Sequence, residues 1–310
     1  MREYRAIDFL PTTKKEVEQR GWERLDVILF SGDAYVDHPS FGAAVIGRTI
    51  EAMGLRVAIV PQPDWHGDWR DFKKLGRPRL FFGIAPGCMD SMVNKYTANR
   101  RLRSEDAYSP DGRHDMRPEY PTIIYSHILK QLYPDVPVVL GGIEASMRRL
   151  THYDYWDDSL HRCILCDSHA DIIIYGMGEK PITSIASLLN EQDCDITTDL
   201  FIALMTRNPQ PQTVMLYTRD NIPRGVRSDD IVLHSHKDCV ANKRNQAENF
   251  KHIEEESNKM HAQRLIQEVD GMYAVVNPPY PPMTQAELDE VFDLPFIPYM
   301  LALGPPKSLM

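Results

Sequence analysis

The sequence predicts an α/β protein built on a doubly wound, mostly parallel, Rossmann-like sheet with a small α+β extension. Three observations predict it. Short apolar runs alternate with segments of helical spacing, the runs are apolar on both faces, and several end in glycine-containing turns. Parallel strands covered by helices on both faces read as such continuous runs, whereas antiparallel strands usually alternate apolar with polar residues.

The first strand is Leu25-Asp26-Val27-Ile28-Leu29-Phe30, running into the turn Ser31-Gly32-Asp33. A helix of small residues follows from about Ser40 to Met53, and Gly54 is placed to stop it in a left-handed conformation. Arg56 to Val60 is the second strand. Arg79 to Ile84 and Val136 to Leu140 read as the third and fourth, the latter ending in Gly141-Gly142. Between them, Thr122 to Tyr133 has helical spacing, and the polar stretch Asn94 to Glu119 reads as a long inserted loop, a class that is commonly functional or mobile. Asp171 to Tyr175 is the fifth strand, ending in Gly176-Met177-Gly178-Glu179 before a helix from about Pro181 to Asn190.

After Asp195 the pattern changes. Val214 to Thr218 and Ile231 to His234 read as short strands, Asp238 to Glu268 as one charged amphipathic helix, and Met272 to Val276 as a last strand. The run Asn277-Pro278-Pro279-Tyr280-Pro281-Pro282 has the stiffness of a linker. Thr284 with Glu287 three residues later is a capping box opening a helix to Phe292. This divides the chain into a Rossmann-like region (1–195), an α+β extension (196–277) and a proline-rich linker (278–310).

No stretch approaches the roughly 18 uninterrupted apolar residues of a membrane-spanning helix, and the charged start has no signal-peptide core, so a cytoplasmic protein is expected. The net charge of −9 argues against a broad nucleic-acid face. Two short basic runs, Asn99 to Arg103 and Met147 to Arg149, read as solvated surface. The five cysteines are odd in number and scattered, which does not suit a disulfide scaffold.

Ligands of doubly wound sheets bind outside the carboxyl ends of the strands. That rule gathers the candidate site: Ser31, Gly32, Asp33, Asp37, His38 and Ser40 after the first strand, Gly141, Gly142, Glu144 and Ser146 after the fourth, and Gly176, Gly178 and Glu179 after the fifth. The glycines allow close backbone approach, and the polar side chains offer hydrogen bonds to a small molecule or a docking partner. A plainer reading makes Ser40 the helix N-cap and His38 a structural hydrogen-bonder. His161, Cys163, Cys166 and His169 have spacings that can reach one zinc ion, but no second CxxC completes a structural site and the interior of the motif is apolar, which favours half-buried cysteines. Cys88 sits at a strand end, with no base identifiable beside it. There is no GxxxxGK[ST], HExxH or GxSxG motif.

The stretch from Asp26 to Arg48, with Gln62-Pro-Asp-Trp65, Val139 to Arg149, His152-Tyr-Asp-Tyr-Trp156, Ile174 to Glu179 and Asn277-Pro-Pro279, resembles the amino-terminal region of YgiQ-type radical-SAM proteins. The resemblance covers nearly the whole chain to about Phe296. It implies a cobalamin-binding-like fold followed by a radical-SAM barrel, in cis or as a separate chain, that carries a 4Fe-4S cluster and S-adenosylmethionine. Three thiolates in a CxxxCxxC pattern hold such a cluster, and no three cysteines here are so spaced, so no catalytic residue is assigned to this chain. Asp37-His38 and Gly42 do not match the DxHxxG pattern that supplies cobalt with a histidine; many cobalamin-dependent radical-SAM enzymes dispense with that ligand, and cobalamin stays open. Met300 to Met310 differs from the family's continuation, as a truncated or frame-shifted frame, one half of a split gene or a trimmed chain would. The expected function is therefore recognition of a substrate or cofactor for a radical-SAM reaction, without turnover alone. The alternative is a stand-alone flavodoxin-like enzyme or binding protein using the same crevice.

Overall fold

The computed structural model describes residues 5–297. The strands are β1 (Val27–Ser31), β2 (Val57–Pro61), β3 (Phe81–Ala85), β4 (Val138–Leu140), β5 (His152–Asp154), β6 (Ser159–His161), β7 (Ile172–Ile174), β8 (Thr213–Tyr217), β9 (Ile231–Val232), β10 (Leu265–Val269) and β11 (Met272–Val276). The helices are α1 (Lys14–Gln19), α2 (Gly42–Ala52), α3 (Arg70–Lys73), α4 (Ser91–Lys95), α5 (Pro121–Leu132), α6 (Gly142–Met147), α7 (Ile164–Ser168), α8 (Glu179–Asn190), α9 (Thr198–Arg207), α10 (His236–Ala241), α11 (Lys243–Ser257) and α12 (Gln285–Phe292).

One nine-stranded sheet in the order β2-β1-β3-β4-β7-β8-β11-β10-β9 organises the molecule, and β5 and β6 form a separate hairpin. The pairings from β2 to β7 are parallel, β8 joins β7 antiparallel, and β11 joins β8 and β10 antiparallel. The sheet is thus mixed but mostly parallel, and the strands beyond residue 195 continue it.

The strands are buried on both faces because alternate side chains feed two cores. Ile28, Phe30, Phe82, Ile84, Val138 and Leu140 pack with Phe72, Tyr125 and Leu129 on one side. Val27, Leu29, Phe81, Val139, Ile172 and Ile174 pack with Ile50, Ile182, Ile185 and Phe201 on the other. Each fully buried Leu, Ile or Phe contributes about 1.5–3 kcal/mol relative to exposure, so this two-sided burial is the main cohesive force.

Two expectations are corrected. The segment 238–268 is not one helix. Asn242, extended at φ −146°, closes α10 and caps α11 with its side chain, and α11 ends at Ser257. Leu265 to Val269 is then a strand, paired with β11 across Asp270-Gly271, both at positive φ as a tight two-residue hairpin requires. Ser40 does not cap α2: the N-cap is Phe41, with no side-chain hydrogen bond. Elsewhere Gly54 follows α2 at φ +80°, and the Thr284–Glu287 capping box opens α12. The proline run begins by extending the β8–β11 pairing, with Gln212 N–H donating to the Pro278 carbonyl at 2.7 Å. Residues 300–310 lie outside the described residues.

Candidate strand-end binding site

The sheet reverses direction of winding between β1 and β3, and there the chain leaves both strands towards the same side. Gly32 N–H donates to the Ala85 carbonyl at 3.0 Å, and a Cβ on Gly32 would fall on the Pro86 carbonyl oxygen. Glycine is therefore required at position 32 by backbone packing. Gly142 is needed twice over: its φ is +79°, and a Cβ would stand 2.8 Å from Pro86 Cδ. A cavity of about 290 Å³ opens among these strand ends.

Of the residues expected at the site, Ser31, Asp33, Ser40, Gly141, Gly142, Gly176, Gly178 and Glu179 line that cavity. Gly32, Asp37, His38, Glu144 and Ser146 do not; they brace it. Asp37 is fully buried in an ion pair with Arg48 of α2 and accepts a 3.2 Å hydrogen bond from Ile297 N–H. His38 Nδ1 accepts from Ser40 N–H at 3.1 Å, the structural role of the plainer reading. The Glu144 carboxylate, buried and pushed up in pKa by desolvation, accepts from Ser91 Oγ at 2.5 Å and Thr122 N–H at 3.2 Å. Ser146 Oγ donates to the Gly142 carbonyl at 2.7 Å and accepts from Gly176 N–H at 3.1 Å, tying two strand ends together.

Asp33 is the charged group at the heart of the site, 2% exposed. Burial raises its pKa against the opposing pull of Arg117 and the Cys88 N–H. Its Oδ1 lies 2.8 Å from Arg117 Nη1 and its Oδ2 accepts from Cys88 N–H at 2.6 Å. Arg117, itself buried, also bonds Asp106 at 2.9 Å and the Pro86 carbonyl at 3.1 Å. It comes from the long polar segment read as a loop, where nothing in the sequence distinguishes it from its solvated neighbours. Tyr35, Gly83 and Ile182 also line the cavity and were not anticipated.

The same geometry disposes of two other candidates. Burial and the Asp33 carboxylate push the Cys88 thiol up to about 12, the reverse of what a nucleophile needs. Cys163 is fully buried, and His161 pairs with Asp157 at 2.6 Å while His169 stacks on His127. Among the described residues no group of three His, Cys, Asp or Glu side chains could hold a metal ion. An iron–sulfur cluster therefore does not fit these residues. Among the described residues no histidine lines the cavity, so none is placed there as a cobalt ligand. The basic runs are also engaged: Arg100 lies over the Tyr155 ring and donates to the Trp156 carbonyl at 2.8 Å, and Arg148 pairs with Asp90. No helix among the described residues is long and apolar enough to cross a membrane.

The family model for the radical SAM N-terminal region matches residues 9–301. The chain belongs to that family. It is 64% identical over 300 residues to a UPF0313 protein of Bacteroides thetaiotaomicron, covering 96% of this chain and 48% of that one. A UPF0313 protein of Porphyromonas gingivalis is 60% identical over 289 residues (93% and 44%), and one of Geobacter sulfurreducens 43% over 290 residues (94% and 46%). The chain of this radical-SAM N-terminal family member thus spans about half the length of the curated relatives it matches. No solved structure matches it.

Proposed function

We propose that this chain is the recognition region of a cytoplasmic radical-SAM protein. Its strand-end cavity holds a substrate or cofactor, and a barrel carrying the 4Fe-4S cluster and S-adenosylmethionine, in cis or as a separate chain, closes over it. The observation that carries this reading is the cavity's place at the point where the sheet's winding reverses, outside the carboxyl ends of β1, β3, β4 and β7, where doubly wound sheets bind their ligands. Support comes from the rim, where Met177 and Ile143 leave apolar side chains in solvent, and Met147 does so at the end of α6. It comes also from the course of the chain: α12 is joined to α8 by the 2.8 Å Lys180–Glu287 pair, and Ile297 is hydrogen-bonded to Asp37, within the segment that walls the cavity.

Hydrogen–deuterium exchange comparing this chain with a full-length relative tests the reading. Segments 33–42, 141–147 and 176–179 should gain protection in the longer protein; unchanged exchange there refutes closure over the cavity. The sheet order β2-β1-β3-β4-β7, the winding of flavodoxin-like proteins, favours a second reading as a stand-alone binding protein. That reading predicts full ligand affinity without any barrel.

A further inference from the structure

The cavity's shape and chemistry narrow its ligand, an inference that rests on reading the cavity as a binding site. Its floor is a rung across three central strands, since Leu29 is the register partner of Gly83 and Gly83 of Val139. A glycine inside a strand weakens it and often marks a place where a ligand or another backbone comes close. At Gly83 the close neighbour is a side chain, Leu29 Cδ2, 2.6 Å from a Cβ built there, so Leu29 leans over the glycine and forms the floor beside it. The lining also takes Ala43, Ala44 and Ile46 from α2 and Ile182 from α8. Gly83 in the sheet and Ala43 and Ala44 on α2 leave a gap between the sheet and the helices covering it.

At about 290 Å³ the gap falls just below the roughly 300–1,000 Å³ of pockets that enclose whole drug-sized ligands. It suits a small rigid molecule or one arm of a larger one. Tyr35, Phe41 and Phe81 contribute rings to the lining, and rings favour offset-stacked or edge-on aromatic partners. Among the described residues the lining contains no Lys, Arg or His, while Glu179 is present without a cation, so a phosphate or carboxylate is disfavoured. Glu179 Oε2 is shielded from solvent and finds no hydrogen-bond donor among the described residues.

We infer that the slot binds a flat bicyclic aromatic group bearing an N–H donor, with the ring between Gly83 and the helices and the N–H directed to Glu179. The test is a titration of the isotope-labelled chain with indole, 1-methylindole and cyclohexanol, followed by amide NMR. Indole should shift the Gly83 and Gly178 amides saturably, with 1-methylindole about fivefold weaker and cyclohexanol at least about tenfold weaker. Gly83→Val pushes Leu29 into the slot and should weaken indole by about tenfold or more; Ala43→Leu fills the slot from α2 if the strand variant does not fold. Glu179→Ala should bring indole and 1-methylindole to equal affinity. Cyclohexanol binding the slot as tightly as indole overturns the aromatic class and leaves the strand-end site standing. Slot amides unmoved by all three probes in a folded chain overturn both.

Discussion

Arg117→Met tests how the mouth of the site is held. Arg117 is 1% exposed and serves Asp33, Asp106 and the Pro86 carbonyl at 2.8, 2.9 and 3.1 Å. Methionine fills much of the same space but leaves two buried carboxylates facing each other without a cation. Breaking a buried pair from one side costs about 3–5 kcal/mol, a large part of the ~5–15 kcal/mol that holds a domain folded. The loss should also depend on pH. In the wild type, burial already holds Asp33 above the usual carboxylate range; Asp106 lies below it, because the Tyr108 N–H, Arg117 and Ser109 outweigh desolvation. Without Arg117 both rise. A carboxyl whose pKa is higher folded than unfolded stabilises the fold below its unfolded value and loses that contribution as pH rises through the folded one. The variant's deficit at pH 7 should therefore shrink on acidification towards pH 5, by at most about 1.4 kcal/mol per pH unit per carboxyl. Urea denaturation followed by circular dichroism at pH 5, 6 and 7 reads both quantities, and Asp33→Asn added to Arg117→Met should restore part of the stability. A deficit under about 1 kcal/mol at pH 7, or one that widens on acidification, refutes the assignment of Arg117 as the cation that pins these loops.

Gly142→Ala should cost about 2 kcal/mol or more in thermal melts, from left-handed backbone strain and the Pro86 contact, whereas Gly141→Ala, with only the Ile84 carbonyl at 4.0 Å, should be neutral or stabilising by about 0.4–1 kcal/mol. Asn242→Ala removes the hydrogen bond to Arg244 N–H at 3.0 Å and should cost about 1 kcal/mol, seen as faster amide exchange in the first turn of α11. With iodoacetamide at pH 8, mass spectrometry should find exposed Cys194 alkylated long before Cys88, whose thiolate fraction is on the order of 10⁻⁴ and rises about tenfold per pH unit until near 12.

The parallel half of the fold was legible because burial on both faces leaves a signature in single runs such as Val27–Phe30 and Ile172–Ile174. The later half was not, because its signals conflict. Charged residues at helical spacing run from Lys243 into the segment before Leu265, and only the Asp270-Gly271 turn reveals that 265–276 is a hairpin. At the site, the glycines announced the strand ends, since a backbone that must approach another backbone leaves a residue type behind. Asp37 looked like a ligand group for the same reason that it is a structural one. It stands after a strand end beside His38, and its partner Arg48 lies on the next helix, where no local pattern marks the pair. Gly83 was hidden inside an apolar run, and its meaning depends on Leu29 and Val139 being its neighbours across the sheet.

The distribution of charge around the cavity explains how an apolar slot persists among polar loops. Asp33 is spent on Arg117, Asp37 on Arg48, and Asp90 on Arg148, each pair fastening a strand-end segment to an element behind it. Because each of these carboxylates is neutralised by a buried arginine, the loops are fixed in place by internal ion pairs. Binding to such a preformed site does not require ordering of the loops, and that ordering is a main opposing term in association. Glu179 departs from the pattern. Among the described residues it pairs with no cation, and one of its oxygens is sealed from water without a donor. A buried acceptor left unmade costs about 1–3 kcal/mol. A ligand N–H at that oxygen would recover part of it, so the residue that weakens the empty site is the one that should favour its occupant.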